Sequence, residues 1–309
     1  MTTTSSIVAD HRLVRPSATR TDLAASLRAS LHGGTGLAAG KLGLSEQAML
    51  AYPFLLERCR DARQEAALTA QTRAHCTVQM GVFPADRDAM LGFATLHAAA
   101  TRSLDFVGLA QGRLEADLIR ELRIPGRTLS LLDLEPDRSV PDDSNSCYLP
   151  ELAGRRLLIV SSIANLLCDR ANRTTFEAVW AKTGKPWFAP AEVRALEFPY
   201  TYDVDTQRRF GTSANLLNAI VERIDPGTFD VALIAGSSLG VPIAAAIKEQ
   251  GRCAIALGGS LQVLFGVGGK RWREDPVWQR DHITEAWTDV REDQVPRVAT
   301  YHVEGGAYW

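Results

Sequence analysis

Residues 229–257 spell out one complete strand, helix, strand unit, and few architectures accept one. Phe229-Asp230-Val231-Ala232-Leu233-Ile234-Ala235 is apolar on both phases of its two-residue period, which predicts a strand buried on both faces. Gly236-Ser237-Ser238-Leu239-Gly240 is a glycine-bounded turn. Residues 241–250 repeat apolar side chains at helical spacing, and Cys253-Ala254-Ile255-Ala256-Leu257 is a second short apolar run. Strands joined this way lie parallel, because the helix carries the chain back to the end of the sheet where it began. The expected fold class is therefore α/β: a Rossmann-like, mostly parallel sheet flanked by helices, with its ligand crevice at the carboxyl ends of the strands. A chain of 309 residues that is 46% hydrophobic can bury the core such a sheet needs.

The same grammar extends upstream to Arg156-Leu157-Leu158-Ile159-Val160, a strand followed by helical patterns at 165–170 and 175–182. Leu196-Glu197-Phe198-Pro199-Tyr200 reads as a strand end, and residues 214–224 as an amphipathic helix. Before them lies a helix-rich half, 19–140. Its helices open at Thr21 and Ser45 and continue at 86–100 and 114–122, while residues 77–82 alternate like a short strand. Pro136, Pro141 and the polar run 142–146 separate that half from the Rossmann-like half, 150–309, within one domain spanning 19–309. Residues 1–18, polar and rich in Ser and Thr, are expected to form a disordered tail.

Charge and cysteine usage exclude several classes. Thirty-four basic against thirty-six acidic residues leave a net charge of −2, so nucleic acid is not an expected partner. Cys59, Cys76, Cys147, Cys168 and Cys253 are too widely spaced for a zinc knuckle or a redox pair and are read as reduced thiols. No stretch approaches the ~20 apolar residues of a bilayer crossing, and no integral membrane segment or leader pattern is read, so a cytoplasmic location is expected.

The turn at Gly236, Ser237, Ser238 and Gly240 is placed where glycines permit a tight bend and the start of a helix can face an anion. It lacks the middle glycine of a dinucleotide fingerprint, and no acid closes the following strand. It also spells Gly-x-Ser-x-Gly, which keeps open a serine hydrolase with Ser238 as nucleophile. The partners available downstream for that triad are Asp275, Asp281, Asp293, His282 and His302, and His32-Gly33-Gly34 imitates an oxyanion loop far upstream. Residues 257–272 carry Gly258, Gly259, Gly266, Gly268 and Gly269, the amide Gln262, Lys270, Arg271 and Trp272 directly after a strand. Glycines let backbone approach a ligand, the cations would offset phosphate charge, and the indole could stack on a ring. Asp203-Val204-Asp205 and Asp133-Leu134-Glu135 have spacings seen in divalent-ion sites, although chance places on the order of four such pairs in a chain this acidic.

Taken together, residues 229–234, the glycine turn, 242–248, Leu257-Gly258-Gly259, Leu261-Gln262, Leu264-Phe265-Gly266 and Gly269-Lys270-Arg271-Trp272 resemble the bacterial GT-D-type glycosyltransferases, notably members found among capsule and polysaccharide genes. Gly81-Val82-Phe83-Pro84, residues 104–108 and the aromatic end Glu304-Gly305-Gly306-Ala307-Tyr308-Trp309 fit the same resemblance. It implies a single GT-D-like domain that transfers a sugar from a nucleoside diphosphate sugar, a UDP-sugar first of all, to a hydroxyl acceptor in glycan, polysaccharide or glycosylated-metabolite synthesis. The cofactor it implies is Mn²⁺ or Mg²⁺, held by an Asp-x-Glu motif. The corresponding run here is Lys41-Leu42-Gly43-Leu44-Ser45-Glu46, in which Glu46 is retained as the one metal ligand and Leu44 stands where the aspartate would be. One carboxylate holds a divalent ion less well than two, which shifts phosphate charge toward Lys41, Lys270 or Arg271.

The expected site therefore places the diphosphate across the Gly236–Gly240 turn and the Gly258-Gly259 strand end, with Lys41, Gly43, Gln262, Phe265, Gly266 and Trp272 around the donor. Lys270 and Arg271 would stabilise the leaving diphosphate, and Glu46, or alternatively Asp105, would accept the acceptor's proton. A nucleotide-sugar binding protein without turnover is the third alternative, beside the transferase and the hydrolase. Phe265 and Tyr308-Trp309 could cover a ligand or a homodimer partner.

Overall fold

The computed structural model describes residues 13–138, 147–291 and Tyr308. The polar boundary at 139–146, Asp293, His302 and most of the aromatic end lie outside them, as do residues 1–12 of the expected tail. Ser17 and Ala18 belong to the folded body, because both amides donate to the Thr128 carbonyl at 3.0 Å.

All seven strands lie parallel in one sheet: β1 (Leu37–Leu42), β2 (Phe106–Leu109), β3 (Arg127–Ser130), β4 (Arg156–Ser161), β5 (Glu192–Glu197), β6 (Val231–Ala235) and β7 (Cys253–Ala256). Their order is β3-β2-β1-β7-β6-β4-β5. The Rossmann-like parallel sheet is thus present, but it is not confined to the second half of the chain. Three of its strands come from the helix-rich half, and β1 joins the halves by pairing with both β2 and β7. β1 and β7, far apart in the chain, are neighbours at the seam where the two halves of the sheet meet, and a crevice opens along the carboxyl edge there.

β1 escapes a hydrophobicity reading because it is built of small residues, Leu-Ala-Ala-Gly-Lys-Leu. A side chain at Gly40 would lie 3.2 Å from Val241 and 3.3 Å from Ala256, so close packing at the centre of the sheet excludes bulk there. The better-read strands divide their apolar residues between two cores. Leu158, Val160, Ala232, Ile234 and Ala254 face one core, while Leu157, Ile159, Val231, Leu233 and Ile255 face the other.

The helices are α1 (Arg20–Gly33), α2 (Leu44–Leu56), α3 (Ala62–Ala74), α4 (Arg87–Ser103), α5 (Glu115–Glu121), α6 (Leu131–Leu134) and α7 (Ala164–Arg170) in the first part of the chain. There follow α8 (Arg173–Val179), α9 (Val204–Phe210), α10 (Ser213–Val221), α11 (Gly240–Glu249), α12 (Gly259–Leu264), α13 (Lys270–Arg273) and α14 (Pro276–Asp281). α2, α4, α10 and α11 supply the first core; α1, α7, α8 and α12 supply the second. Starts are set by side-chain caps such as Asp86 on Ala89 at 2.9 Å and Thr212 on Asn215 at 3.1 Å. The alternating segment at 77–82 is not a strand. His75–Gln79 is a π-helical turn continuing α3, and Gly81 leaves it at φ +62°.

Candidate functional site

A cleft of about 1060 Å³ runs along the carboxyl edge of the sheet. Its floor is made by strand ends: Lys41 of β1, Ser161 of β4, Ala235 and Gly236 after β6, and Gly258 after β7. Parallel strands end at this edge and helices begin there, so the topology itself delivers loop residues from both halves of the chain to one place.

The glycine turn after β6 reaches the cleft through Gly236, Ser237 and Gly240. Gly236 and Gly240 are closely apposed, since a side chain on Gly236 would come within 3.1 Å of the Gly240 amide nitrogen. Between them Ser237 adopts φ +48° and points its hydroxyl outward, donating to the Met80 carbonyl at 3.0 Å. The neighbouring Ser238 is turned the other way. Its hydroxyl is wholly buried, has no hydrogen-bond partner among the described residues and does not line the cleft.

After β7, Gly258 and Gly259 line the cleft with Gln262 of α12, and Lys270 and Arg271 of α13 stand exposed at its mouth beside Glu274. Gln262 is a latch, donating to the carbonyls of Gly268 at 2.7 Å and Tyr308 at 2.9 Å. Three residues of this block serve the scaffold instead. Phe265 is core, so it offers no apolar end to a partner. Gly266, at φ +67°, is required because a side chain there would run into Val179. Trp272 is buried under Gly259 and meets the Tyr308 ring edge-on at 5.8 Å, so Tyr308, rather than the indole, faces the cleft. The loop is anchored by Arg170, which donates to the carbonyls of Phe265 at 2.7 Å and Ala286 at 2.6 Å; burial lowers its pKa.

From the first half come Lys41, Gly43, Leu44, Ser45 and Glu46. Glu46 sits in the first turn of α2 with its carboxylate against Gly43, where a side chain would collide with it. Ser45 donates to Gln79 Oε1 at 2.6 Å, and His75 Nδ1 lies 2.9 Å from the same oxygen. The Tyr202 hydroxyl donates to the Gln79 carbonyl at 2.9 Å, which ties the π-turn to the loop after β5. Phe198, Tyr200 and Tyr202 form an aromatic wall at that end. Burial, reinforced by the charge of Glu197, holds the Tyr200 phenol above its ordinary range. Sequence reasoning missed this wall and the His75–Gln79 turn. The only signal for the first was a cluster of rings directly after a strand end.

Asp105 is not brought to the cleft. It precedes β2, at the amino edge of the sheet, where Oδ2 accepts from the Ala38 amide at 2.9 Å and Oδ1 pairs with Lys248 at 2.8 Å. It splices β1 to β2 and cannot serve as an acceptor base.

A divalent ion requires several hard oxygen ligands converging on one point. Among the described residues no group of three or more His, Cys, Asp or Glu converges in this way. Asp203 caps α9 and Asp205 pairs with Arg208 at 3.5 Å; Asp133 pairs with Arg20 at 2.8 Å, and Glu135 with Lys41 at 2.9 Å. Leu44, where the motif's aspartate would stand, is 63% exposed at the cleft. The described residues thus do not fit the implied metal. Among the described residues a hydrolytic triad is not assembled either; Asp293 and His302 lie outside them. Asp275 caps α14, Asp281 pairs with Arg280, and His282 lies between the rings of Trp180 and Trp278.

Comparison with protein-family models and with curated proteins finds no match. Two solved structures are similar in fold. One is a selenomethionine-substituted structure of domain of unknown function 1792, with 12% identity, a TM-score of 0.41, and 93% of this chain and 94% of that chain covered. The other describes the same domain as having a distinct glycosyltransferase fold, with 12% identity, a TM-score of 0.37 and 76% of each chain covered.

Proposed function

We propose that the protein is a glycosyltransferase that takes a sugar from a nucleoside diphosphate sugar, a UDP-sugar first of all, and passes it to a hydroxyl acceptor. One observation carries the proposal. The cleft at the carboxyl edge of the sheet, where the two halves of the chain meet, lines up the Gly236–Gly240 turn, the Gly258-Gly259 strand end and the cations Lys41, Lys270 and Arg271, although they are distant in sequence. The motif resemblance of residues 229–272 supports the same chemistry.

During transfer the bond between the anomeric carbon and the diphosphate oxygen breaks, and the acceptor oxygen takes its place on that carbon. The departing diphosphate gathers negative charge, which Lys270 and Arg271 at the mouth of the cleft would offset. The acceptor hydroxyl gives up a proton, which Glu46, a carboxylate lining the cleft, would receive. The wall of Phe198, Tyr200 and Tyr202 offers ring faces against which a sugar or acceptor can stack. Five unpaired cysteines fit a reducing compartment such as the cytoplasm, and among the described residues no helix is long and apolar enough to cross a membrane.

A thermal-shift panel of UDP, UDP-sugars, GDP, TDP, CMP and NAD tests the donor class, since a selective ligand raises the melting temperature by linkage. Stabilisation by one nucleotide is expected. Transfer should then fall at least about 100-fold in Lys270→Ala/Arg271→Ala with the fold intact. Full activity in that double variant would remove the two cations from the mechanism. Nucleotide binding without transfer to any hydroxyl acceptor would favour a binding protein.

A further inference from the structure

Lys41 is the penultimate residue of β1, opposite Gly108 in the β2 register and beside Gly258. Gly258 makes room for the end of its stem. A side chain at Gly108 would lie 3.4 Å from Lys41 Cβ, and one at Gly258, which is at φ +58°, would lie 3.3 Å from Cε and 3.5 Å from Nζ. The stem therefore runs past the Gly258 backbone and places the ammonium on the cleft floor, at the seam between β1 and β7.

Behind it Nζ donates to Glu135 Oε1 at 2.9 Å. Burial is unequal, with the Glu135 side chain at 0% exposure and that of Lys41 at 30%. A carboxylate buried this deeply needs a cation held against it, so the pair fixes the ammonium in place and turns its outer side to the cleft. An ammonium has three N–H donors. Among the described residues one goes to Glu135, leaving two to face a ligand.

The four acids with divalent-ion spacing, Asp133, Glu135, Asp203 and Asp205, are committed elsewhere; Glu46 is left without the motif's second carboxylate, because an exposed leucine occupies the position the resemblance assigns to an aspartate. A fixed monopositive charge is what the floor of this cleft offers to a phosphate group. We propose that Lys41, positioned by Glu135, receives the donor's diphosphate in place of a divalent metal, so that the donor is bound without one. This rests on the proposed nucleotide-sugar chemistry. Glu135 acts through Lys41 and is a positioning residue.

The test is calorimetric binding of inorganic pyrophosphate and of UDP to the full-length chain, in EDTA and in Mn²⁺, to the wild type, Lys41→Met and Lys41→Met/Glu135→Gln. The double variant matters because removing Lys41 alone takes its cation from a buried carboxylate and could destabilise the protein. It also replaces a net-neutral pair by a neutral pair, so a loss of anion binding reports where the cation stood rather than net charge. In the wild type both ligands should bind with affinities in EDTA within about two-fold of those in Mn²⁺. The double variant, with its melting transition retained, should bind both at least about ten-fold more weakly. A ten-fold requirement for Mn²⁺, or undiminished binding by the double variant, would overturn the inference while leaving a nucleotide-sugar donor intact. Metal-free, Lys41-dependent pyrophosphate binding with no binding of UDP or UDP-sugars would leave the diphosphate site standing and overturn the donor assignment. Binding of neither ligand by the wild type would overturn both.

Discussion

The Arg271 guanidinium and the Tyr308 phenol meet at the mouth of the cleft, Nη1 to hydroxyl oxygen at 3.4 Å. Tyr308 is held there from three sides: its carbonyl accepts from Gln262, its ring meets Trp272, and Gly259 leaves the space its edge occupies. A residue from the end of the chain thus closes over the block that carries the candidate phosphate cations. This arrangement explains why Trp272 is buried, for it is the support on which Tyr308 rests.

Tyr308 therefore shapes the donor side of the cleft by packing. Tyr308→Ala should weaken nucleotide binding by about ten-fold, the value of one well-placed ring contact of 1–1.5 kcal/mol. Tyr308→Phe keeps the ring and should stay within about three-fold of wild type. Isothermal titration with UDP distinguishes the two. Equal losses in both variants would instead place the hydroxyl, through Arg271, in contact with the ligand.

Asp105 was a reasonable acid to consider from sequence, but its partners place it in the scaffold. Two hydrogen bonds, to the Ala38 amide and to Lys248, end on its carboxylate at the amino edge of β1 and β2. Asp105→Ala should lower unfolding stability by about 2–3 kcal/mol, because the hydrogen bonds to this carboxylate are charge-assisted or join a buried strand end. Nucleotide affinity per folded molecule should be unchanged. Denaturant titration and UDP titration of the same preparation check both statements, and a selective loss of binding would return Asp105 to the site.

What the sequence reveals follows from how each element is stabilised. The unit of β6, α11 and β7 was legible because its strands are buried on both faces by branched and aliphatic residues, and its glycine turn is written in local chemistry. β1 was not, because at the centre of the sheet its small residues Ala38, Ala39 and Gly40 admit the helices closely and leave no hydrophobic run to detect; β2 and β3 are only four residues long, and β3, Arg-Thr-Leu-Ser at the sheet edge, is largely polar. Lys270 and Arg271 were found from composition beside a strand end. Glu135 was noticed only as half of an Asp-x-Glu spacing, since nothing local says that it turns inward to Lys41 ninety-four residues earlier in the chain. Residues 77–82 alternate like a strand, yet His75–Gln79 is a π-turn tied by tertiary contacts to Ser45 and Tyr202.

His97 makes the fold sensitive to acid. It is wholly buried on α4 beside Thr101, whose hydroxyl lies 3.2 Å from Nδ1, and burial depresses its pKa from 6.5 to about 4. The folded protein therefore keeps the ring neutral while the unfolded chain begins to protonate near pH 6.5. The contribution of a neutral His97 to stability is fully present above pH 6.5 and is lost as pH falls toward 4. A shift of this size corresponds to a loss on the order of 3 kcal/mol across that window. His97→Gln should flatten this part of the pH–stability curve, whatever it does to stability at pH 7. An equally steep decline in the variant would assign the acid sensitivity to other groups.

Ser238 provides the sharpest contrast between motif and geometry. Its sequence context spells a nucleophile elbow, but its hydroxyl is buried without a partner, and the oxygen that faces the cleft belongs to Ser237. A nucleophilic serine needs a base within hydrogen-bond reach and an open path for substrate, and Ser238 has neither. A buried hydroxyl with no acceptor costs about 1–3 kcal/mol of desolvation that nothing offsets. Ser238→Ala should therefore raise the unfolding midpoint by a few degrees and leave nucleotide binding unchanged, as read by a thermal melt with and without UDP. A fluorophosphonate probe should not label the wild-type protein. Labelling that disappears in Ser238→Ala would show that the turn opens in solution, and would revive hydrolysis as the chemistry of this cleft.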